Sequence, residues 1–473
     1  MNAVFSVIIP VFLPLIFAAA AFLRGRKSAS GILATGAILH LTATVLSFFT
    51  DILPINDGML FPHGANKFYS MLELDGDSRA ILLLISVLFT LSSFYFIRHD
   101  RKMKSDGNEP LFRQSIYCAA MLAFLGSMAL VLAARNLGLL WVAIEATTLF
   151  SAPLIIYYRT SGAVEAMWKY LLICSVGIGF ALFGTLLIAC SVPGGNSPGL
   201  SLDLLGQMEL NPLLFKLGFV FILAGYGTKA DLAPFHNWIP DTYSEAYGPA
   251  SALISGTLLN ASFLGIVRIL DIAPDAAAGF CNNVLMTLGF LSVAVAAFFV
   301  IRQYDSKRML GYSSIEHMGL AVLMQVSGLH AVAMCHLICH GFFKSGLFMT
   351  TENIRLKYGT RRIDGIRGLM ADSPVTAVLL LGGIILICGM PPSPLFFTEF
   401  MLISRLANWQ ALLLISLLFM VFAGMLHAAL RMVSGKGRHE EKTADGNCMC
   451  TAPAIAMISA FIGAVIYFFT TLS

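Results

Sequence analysis

The chain is dominated by apolar stretches of about twenty residues, each long enough as a helix to cross the roughly 30 Å hydrocarbon core of a bilayer, and these fill most of its 473 residues. In lipid, only helices and closed barrels satisfy every backbone hydrogen-bonding group. Stretches of this length are helical, so the expected fold is an all-α integral membrane protein in a single membrane domain, 1–473. Charged residues make up 12% of the chain, about half the share of a soluble domain. The basic ones lie in short loops, which excludes a nucleic-acid surface. Hydropathy places about fourteen spans. They begin near Val4, Ala29, Ser78, Ser115, Asn136, Ala163, Leu213, Pro249, Asn283, Lys307, Leu329, Pro374, Trp409 and Ala454.

Loops after odd-numbered spans hold most of the lysine and arginine, including Arg24, Arg26 and Lys27, Arg98 to Arg113, Arg302 to Arg308, Arg355 to Arg367, and Arg431 to Lys442. The alternate loops carry only Lys67, Arg79, Arg135, Lys216, Arg268 and Arg405. The positive-inside rule then puts both termini outside the cytoplasm. No basic cluster precedes the first apolar run, MNAVFSVIIP, so a retained first helix is expected rather than a cleaved signal. The nine cysteines are scattered through apolar segments, and Cys448 and Cys450 have no second pair to complete a zinc site.

Two spans are interrupted at membrane depth. GYGTKADLAPFHNWIPDTYSEAYGP carries Pro234, Pro240 and Pro249, and ICGMPPSPLFFTEF carries Pro391, Pro392 and Pro394. Proline removes a backbone donor and clashes with the preceding turn. In a membrane such breaks survive where protein or water satisfies the freed groups, and paired breaks in corresponding halves mark transporter sites.

A charge at the bilayer centre costs about 2.5–3.5 kcal/mol on insertion scales, so such residues face the protein interior and are functional candidates. Glu145 lies mid-span, Lys229 precedes the first break, Glu399 follows the second, and Glu316 and His317 share a span. His336, His340 and Lys344 recur at i, i+4 and i+8, on one helical face. The row covers about 12 Å of helix axis, a spacing that suits a water-bridged proton relay. A histidine pair at i, i+4 also suits a metal, but no HExxH glutamate is present and the lysine one turn on repels a cation, so no metal site is expected. Lys169, His236, Asp231 and Asn260 are secondary candidates. His40 and His427 stand alone and read as core histidines.

Burial brings carboxylate, lysine and histidine titrations toward neutral pH. A lysine about 7 Å from a carboxylate is held charged by roughly 2.4 kcal/mol at an effective dielectric of about 20. Moving a charge across about 150 mV costs roughly 3.5 kcal/mol. One such switch therefore needs an outside energy source, and the chain carries no ligand set for a redox centre.

These residues resemble a known family. The stretches WVAIEATTLFSAPLI, WKYLLICSVGIGFALFGTLL, GYGTKADLAPFHNWIPDTYSEA and YSSIEHMG are similar to the antiporter-like membrane subunits of respiratory complex I, of Mrp-type cation/proton antiporters and of group 4 [NiFe] hydrogenases. They look most like the F component of hydrogenase-4. The resemblance implies N-terminal helices over about 1–114 and two inverted five-helix repeats, over about 115–271 and 283–431. Helices 7 and 12 would be broken, with a last helix at 451–473. It also implies that Glu145 and Lys229 are the coupling pair of a first half-channel. His317, His336, His340 and Lys344 would be a connecting chain, with Glu316 on the corresponding span and Glu399 at the end of the second half-channel. Asn260 stands where complex I relatives carry lysine or histidine, Asp231 where a small residue is usual, and Tyr247 where proline is usual.

The expected function is therefore a proton-translocating subunit of a redox-driven complex, a hydrogenase-4-like or related formate- or carbon-monoxide-linked assembly akin to complex I, in a prokaryotic cytoplasmic (inner) membrane. Nickel–iron and iron–sulfur centres would lie in partner subunits and none in this chain. A subunit of a secondary Na+/H+ antiporter and a non-pumping membrane scaffold remain the alternatives.

Overall fold

A computed structural model describes residues 7–49, 71–105, 114–193, 200–437 and 449–472. Met1, Ser473 and Cys448 lie outside the described residues. The main helices are α1 (Ile9–Arg24), α2 (Arg26–Ser47), α3 (Gly76–Ser105), α4 (Gln114–Ala133), α5 (Leu137–Ile155), α6 (Ser161–Cys190), α7 (Pro212–Lys229) and α8 (Ile239–Glu245). They continue with α9 (Gly248–Asp271), α10 (Asp275–Val300), α11 (Ser306–Val326) and α12 (His330–Tyr358). The last are α13 (Pro374–Ile387), α14 (Pro394–Arg405), α15 (Asn408–Val433) and α16 (Thr451–Leu472). Among the described residues, nine helices are long and apolar enough to cross a membrane, and α1, α13 and Thr451–Tyr467 are shorter apolar helices.

Polar residues at the edges of the apolar runs set where helices begin. Asn136 caps α5 by accepting from the amides of Gly138 (3.0 Å) and Leu139 (3.1 Å). Asn211 caps α7, whose first residue is Pro212, and Asp305 caps α11. Side-chain oxygens at such positions satisfy otherwise orphaned amides, and proline at a first turn sacrifices no helical hydrogen bond.

The described residues fall into two compact units. One is drawn from Met1–Ser93, Pro110–Ala230 and Thr257–Val284, and the other from Phe94–Glu109, Asp231–Gly256 and Leu285–Ser473. One of the places where the chain passes from the first to the second is the first proline break, between Ala230 and Asp231.

In the first unit α6 and α7 pack along glycines. A Cβ on Gly184 would collide with the carbonyl of Gly218, and one on Gly225 with the carbonyl of Gly177. Small residues in a membrane seam let two backbones approach closely. The opposite side of α6 exposes Leu172, Val176, Phe180, Phe183 and Leu186, an apolar face suited to lipid.

Arg268, counted from sequence among loop cations, is 4% exposed near the end of α9. It donates to the carbonyls of Val131, Leu132 and Ala134 at the end of α4 and to Ser78 Oγ (2.7 Å). A cation at a helix C-terminus meets the negative end of its dipole. Burial alone would raise the Asp75 carboxyl, but the neighbouring Arg268 and Arg135 hold it below the ordinary carboxylate value.

In the second unit α12 is the central helix, packing against α11, the start of α9, α13, α14 and α16. Its whole apolar window is buried, as expected of a helix surrounded on every face. Gly359, at φ +68°, ends it in the left-handed conformation. α9 holds a π-helical turn, Ile254–Leu258, which the sequence patterning did not reveal. His427 is a correction to the sequence reading: it lies on an exposed face of α15, because that helix buries only one side. His40 is a buried core histidine, with Nδ1 3.0 Å from Ser86 Oγ.

Candidate functional site

The two breaks form because their prolines sit where a helix starts or cannot continue. After Lys229 the chain turns through 230–238, and Pro240 and Pro249 occupy first turns of α8 and α9. Asp231 adopts a left-handed φ of +56°, which aspartate tolerates better than most residues. In the second break Ser393 Oγ accepts from the amide of Leu395 (3.3 Å), and Pro394 opens α14. Gly389, at φ +66°, occupies this break, and a Cβ there would collide with the Glu399 carboxylate. The break therefore seats Glu399. We expect Gly389→Ala to displace that carboxylate and to lower proton movement by about tenfold, since small misplacements at reacting groups are costly. Vesicle uptake normalised to assembled complex checks it.

The first candidate site lies in the first unit. Lys229 is fully buried at the C-terminal end of α7. Its Nζ donates to Tyr170 Oη at 2.7 Å and stands 4.4 Å from the centre of that ring. Tyr170 Oη lies 2.6 Å from Ser151 Oγ. Helix dipole, hydroxyl and ring face all suit a cationic side chain. Glu145 is half-buried. It accepts from Ser175 Oγ (3.3 Å) and Thr148 Oγ1 (3.5 Å), so it sits toward an open side of its own chain, within electrostatic reach of Lys229.

Lys169 is turned outward in an exposed pair with Glu165 (2.7 Å). Tyr170, the next residue, is the one that meets Lys229. Sequence reasoning missed it, although the rotation of about 100° per residue that sends Lys169 out sends its neighbour in. Asn260 is buried just past the π-helical turn.

The second candidate site lies in the second unit. His336, His340 and Lys344 on α12 are fully buried, and so is His317 on α11 to within 1%. The His317 ring lies between the other two, 5.2 Å from that of His336 and 5.0 Å from that of His340. His317 Nδ1 is 3.1 Å from His336 Nε2, and His336 Nδ1 is 2.8 Å from Thr398 Oγ1. A carboxylate oxygen of Glu399 lies within 4.8 Å of ring nitrogens of both. Lys344 Nζ donates to the Leu310 carbonyl, and Glu316 and Asp231 are within its electrostatic reach. Tyr243 Oη donates to Asp231 Oδ2 (3.0 Å). His236 lies part-exposed in the break, its ring 6.4 Å from that of Tyr312.

Two further charged groups escaped the sequence reading. Glu352, fully buried, accepts from Lys307, Arg355 and the amide of Gly248 (3.1 Å). Lys307, assigned from sequence to a loop, is 1% exposed in the first turn of α11. The signal was present: Glu352 continues the four-residue stripe from His336 through Lys344, with Phe348 between. Tyr247 is buried against Tyr95, Phe96 and His99.

Fold and site together define a multi-pass helical membrane protein in which interrupted helices lie beside buried, hydrogen-bonded titratable groups. The chain belongs to the NADH:quinone oxidoreductase/Mrp antiporter transmembrane family, which its residues 134–426 match. It is an antiporter-like membrane subunit of the NADH–quinone oxidoreductase and hydrogenase type. It is 35% identical over 337 residues to a hydrogenase-4 component F homolog of Methylacidiphilum infernorum, covering 68% of this chain and 70% of that one. It is 25% identical to NADH-quinone oxidoreductase subunit N of Helicobacter hepaticus, over 91% of this chain and 88% of the relative. Its fold matches a chain of the membrane-bound sulfane sulfur reductase, an archaeal respiratory membrane complex, with a TM-score of 0.84 at 22% identity, covering 98% and 96%.

Proposed function

We propose that this chain is the proton-translocating subunit of a redox-driven membrane complex of the hydrogenase-4 type. The observation that carries this reading is the placement of titratable groups inside a membrane protein, in close-set rows beside two broken helices. Lys229, Tyr170 and Ser151 make one row, with Glu145 beside it. His317, His336 and His340, with Lys344, Glu316 and Glu399, make the other. Buried polar groups are expensive in lipid and are retained where they serve a pathway. The kinship to a hydrogenase-4 component F homolog supports the hydrogenase-type assembly over a stand-alone exchanger.

In this reading the nine long apolar helices, the shorter α1, α13 and α16, and the charge-bearing α7 and α11 make the fourteen crossings. They form two inverted five-helix repeats, with α7 and α13 the parents of the broken seventh and twelfth helices. Both termini face away from the cytoplasm. Nickel–iron and iron–sulfur centres lie in partner subunits, which deliver the driving energy through conformational or electrostatic coupling.

The test is proton uptake by inverted membrane vesicles carrying the assembled complex. Electron transfer is expected to drive uptake at the same rate with sodium replaced by potassium. Uptake that requires sodium would instead make the chain a Na+/H+ exchanger.

A further inference from the structure

We propose that His317, His336 and Glu399 form a binding site for a divalent transition-metal ion, Zn2+ being the fitting species, and that its occupancy blocks proton movement through the second row. The binding stands on geometry alone; the block rests on the function proposed above.

One ring nitrogen each from His317 and His336 and one carboxylate oxygen of Glu399 lie within 4.8 Å of one another. Around tetrahedral zinc, with bonds of about 2.0–2.2 Å, ligand atoms stand roughly 3.3 Å apart. His317 Nδ1 and His336 Nε2 are already 3.1 Å apart; to hold the ion the two rings turn from each other toward a common point, and the carboxylate closes in. Two imidazoles and one carboxylate are a recurrent zinc set. Nitrogen donors also disfavour magnesium and calcium, which take oxygen ligands.

The outer contacts orient the ligands. Thr398 gives its hydroxyl hydrogen to the Leu395 carbonyl (2.8 Å) and so receives one from His336 Nδ1 (2.8 Å). That leaves the lone pair of His336 on Nε2, facing the site, the tautomer a metal requires. A third imidazole, His340, is fully buried with its ring 5.0 Å from that of His317, and among the described residues neither of its nitrogens has a hydrogen-bond partner. The charge of Lys344 opposes a cation here, and Glu316, within electrostatic reach of Lys344 and of Glu399, offsets it. Glu399 keeps 8% of its surface exposed where the three histidines keep 1% or less, so it is the ligand nearest the surface.

The lone pairs that would hold zinc are those that pass the proton between His317 and His336. Binding at His317 Nδ1 requires that ring to carry its single hydrogen on Nε2 instead, a change of tautomer with no net proton release. The metal and the relayed proton are therefore competitors for one site.

The test uses the whole purified complex, stripped with EDTA and titrated with Zn2+ followed by elemental analysis, and Co2+ absorption as a second probe. Wild type is expected to bind one more Zn2+ than His317→Ala or His336→Ala, and to give a cobalt spectrum of near-tetrahedral intensity that those variants lack. Thr398→Val, which keeps all three ligands, is expected to weaken binding by about 10- to 100-fold, a loss that gross misfolding would not reproduce. Zinc is expected to stop proton uptake reversibly. Equal zinc in wild type and the histidine variants, or an unchanged affinity in Thr398→Val, would overturn the site. Zinc bound at full occupancy with uptake unchanged would keep the site and overturn the block.

Discussion

Lys344→Ala is expected to lower proton uptake by the assembled complex by about tenfold or more, and to do so more severely than His336→Ala. The difference follows from what each change removes. Lys344 is fully buried in the central helix of its unit, donates to the Leu310 carbonyl of α11, and is the ammonium that Glu316 and Asp231 both face. Its loss removes the cation within electrostatic reach of Glu316 and Asp231 and leaves the Leu310 carbonyl without that donor. His336→Ala removes one ring of three and leaves a polar cavity beside His317 and Thr398, where a water finds partners and can stand in for the imidazole. Uptake rates normalised to complex content compare the two. Equal effects, or normal uptake in Lys344→Ala, would leave one working row and a scaffold.

The larger effect is expected at Lys229. Every polar contact described for it suits an ammonium: the C-terminal end of α7, the Tyr170 hydroxyl at 2.7 Å, and the ring face at 4.4 Å. Hydrogen bonds to a charged group contribute about 1.5–3 kcal/mol. Because Tyr170 in turn meets Ser151, a proton leaving Lys229 has hydroxyls arranged to receive it. Glu145 acts on this lysine through space, so Glu145→Gln is expected to reduce uptake strongly, whereas Lys229→Ala is expected to abolish it. The small-residue seam between α6 and α7 does not depend on Lys229, so the variant chain is expected to assemble.

Much of this was legible in the sequence because a membrane leaves few choices. Apolar runs of fixed length give the helices, and polar interruptions such as ADLAPFHNWIP and MPPSP cannot be anything but breaks. An unpaired mid-span charge such as Glu145 or Lys229 must find company. The i, i+4, i+8 stripe of α12 was likewise readable from spacing alone.

What spacing does not encode is the register between helices. That His317 lies between His336 and His340, that Thr398 holds His336 from behind, and that Tyr170 rather than Lys169 meets Lys229 are outcomes of tertiary packing. Lys307 and Arg268 read as loop cations because hydropathy windows end where charges begin. Their burial depends on a glutamate and on free helix carbonyls supplied by distant segments. The π-helical turn in α9 left no mark in a pattern that is apolar on all sides.

The central claim, that buried charges in this chain carry protons, is tested most directly by one measurement: electron-transfer-driven proton uptake in inverted vesicles carrying the Lys229→Ala complex, with assembly verified by subunit content. The predicted result is no uptake above background, with the other subunits present in wild-type amounts. Uptake at the wild-type rate would contradict the account and reduce Lys229 and Tyr170 to a structural pair.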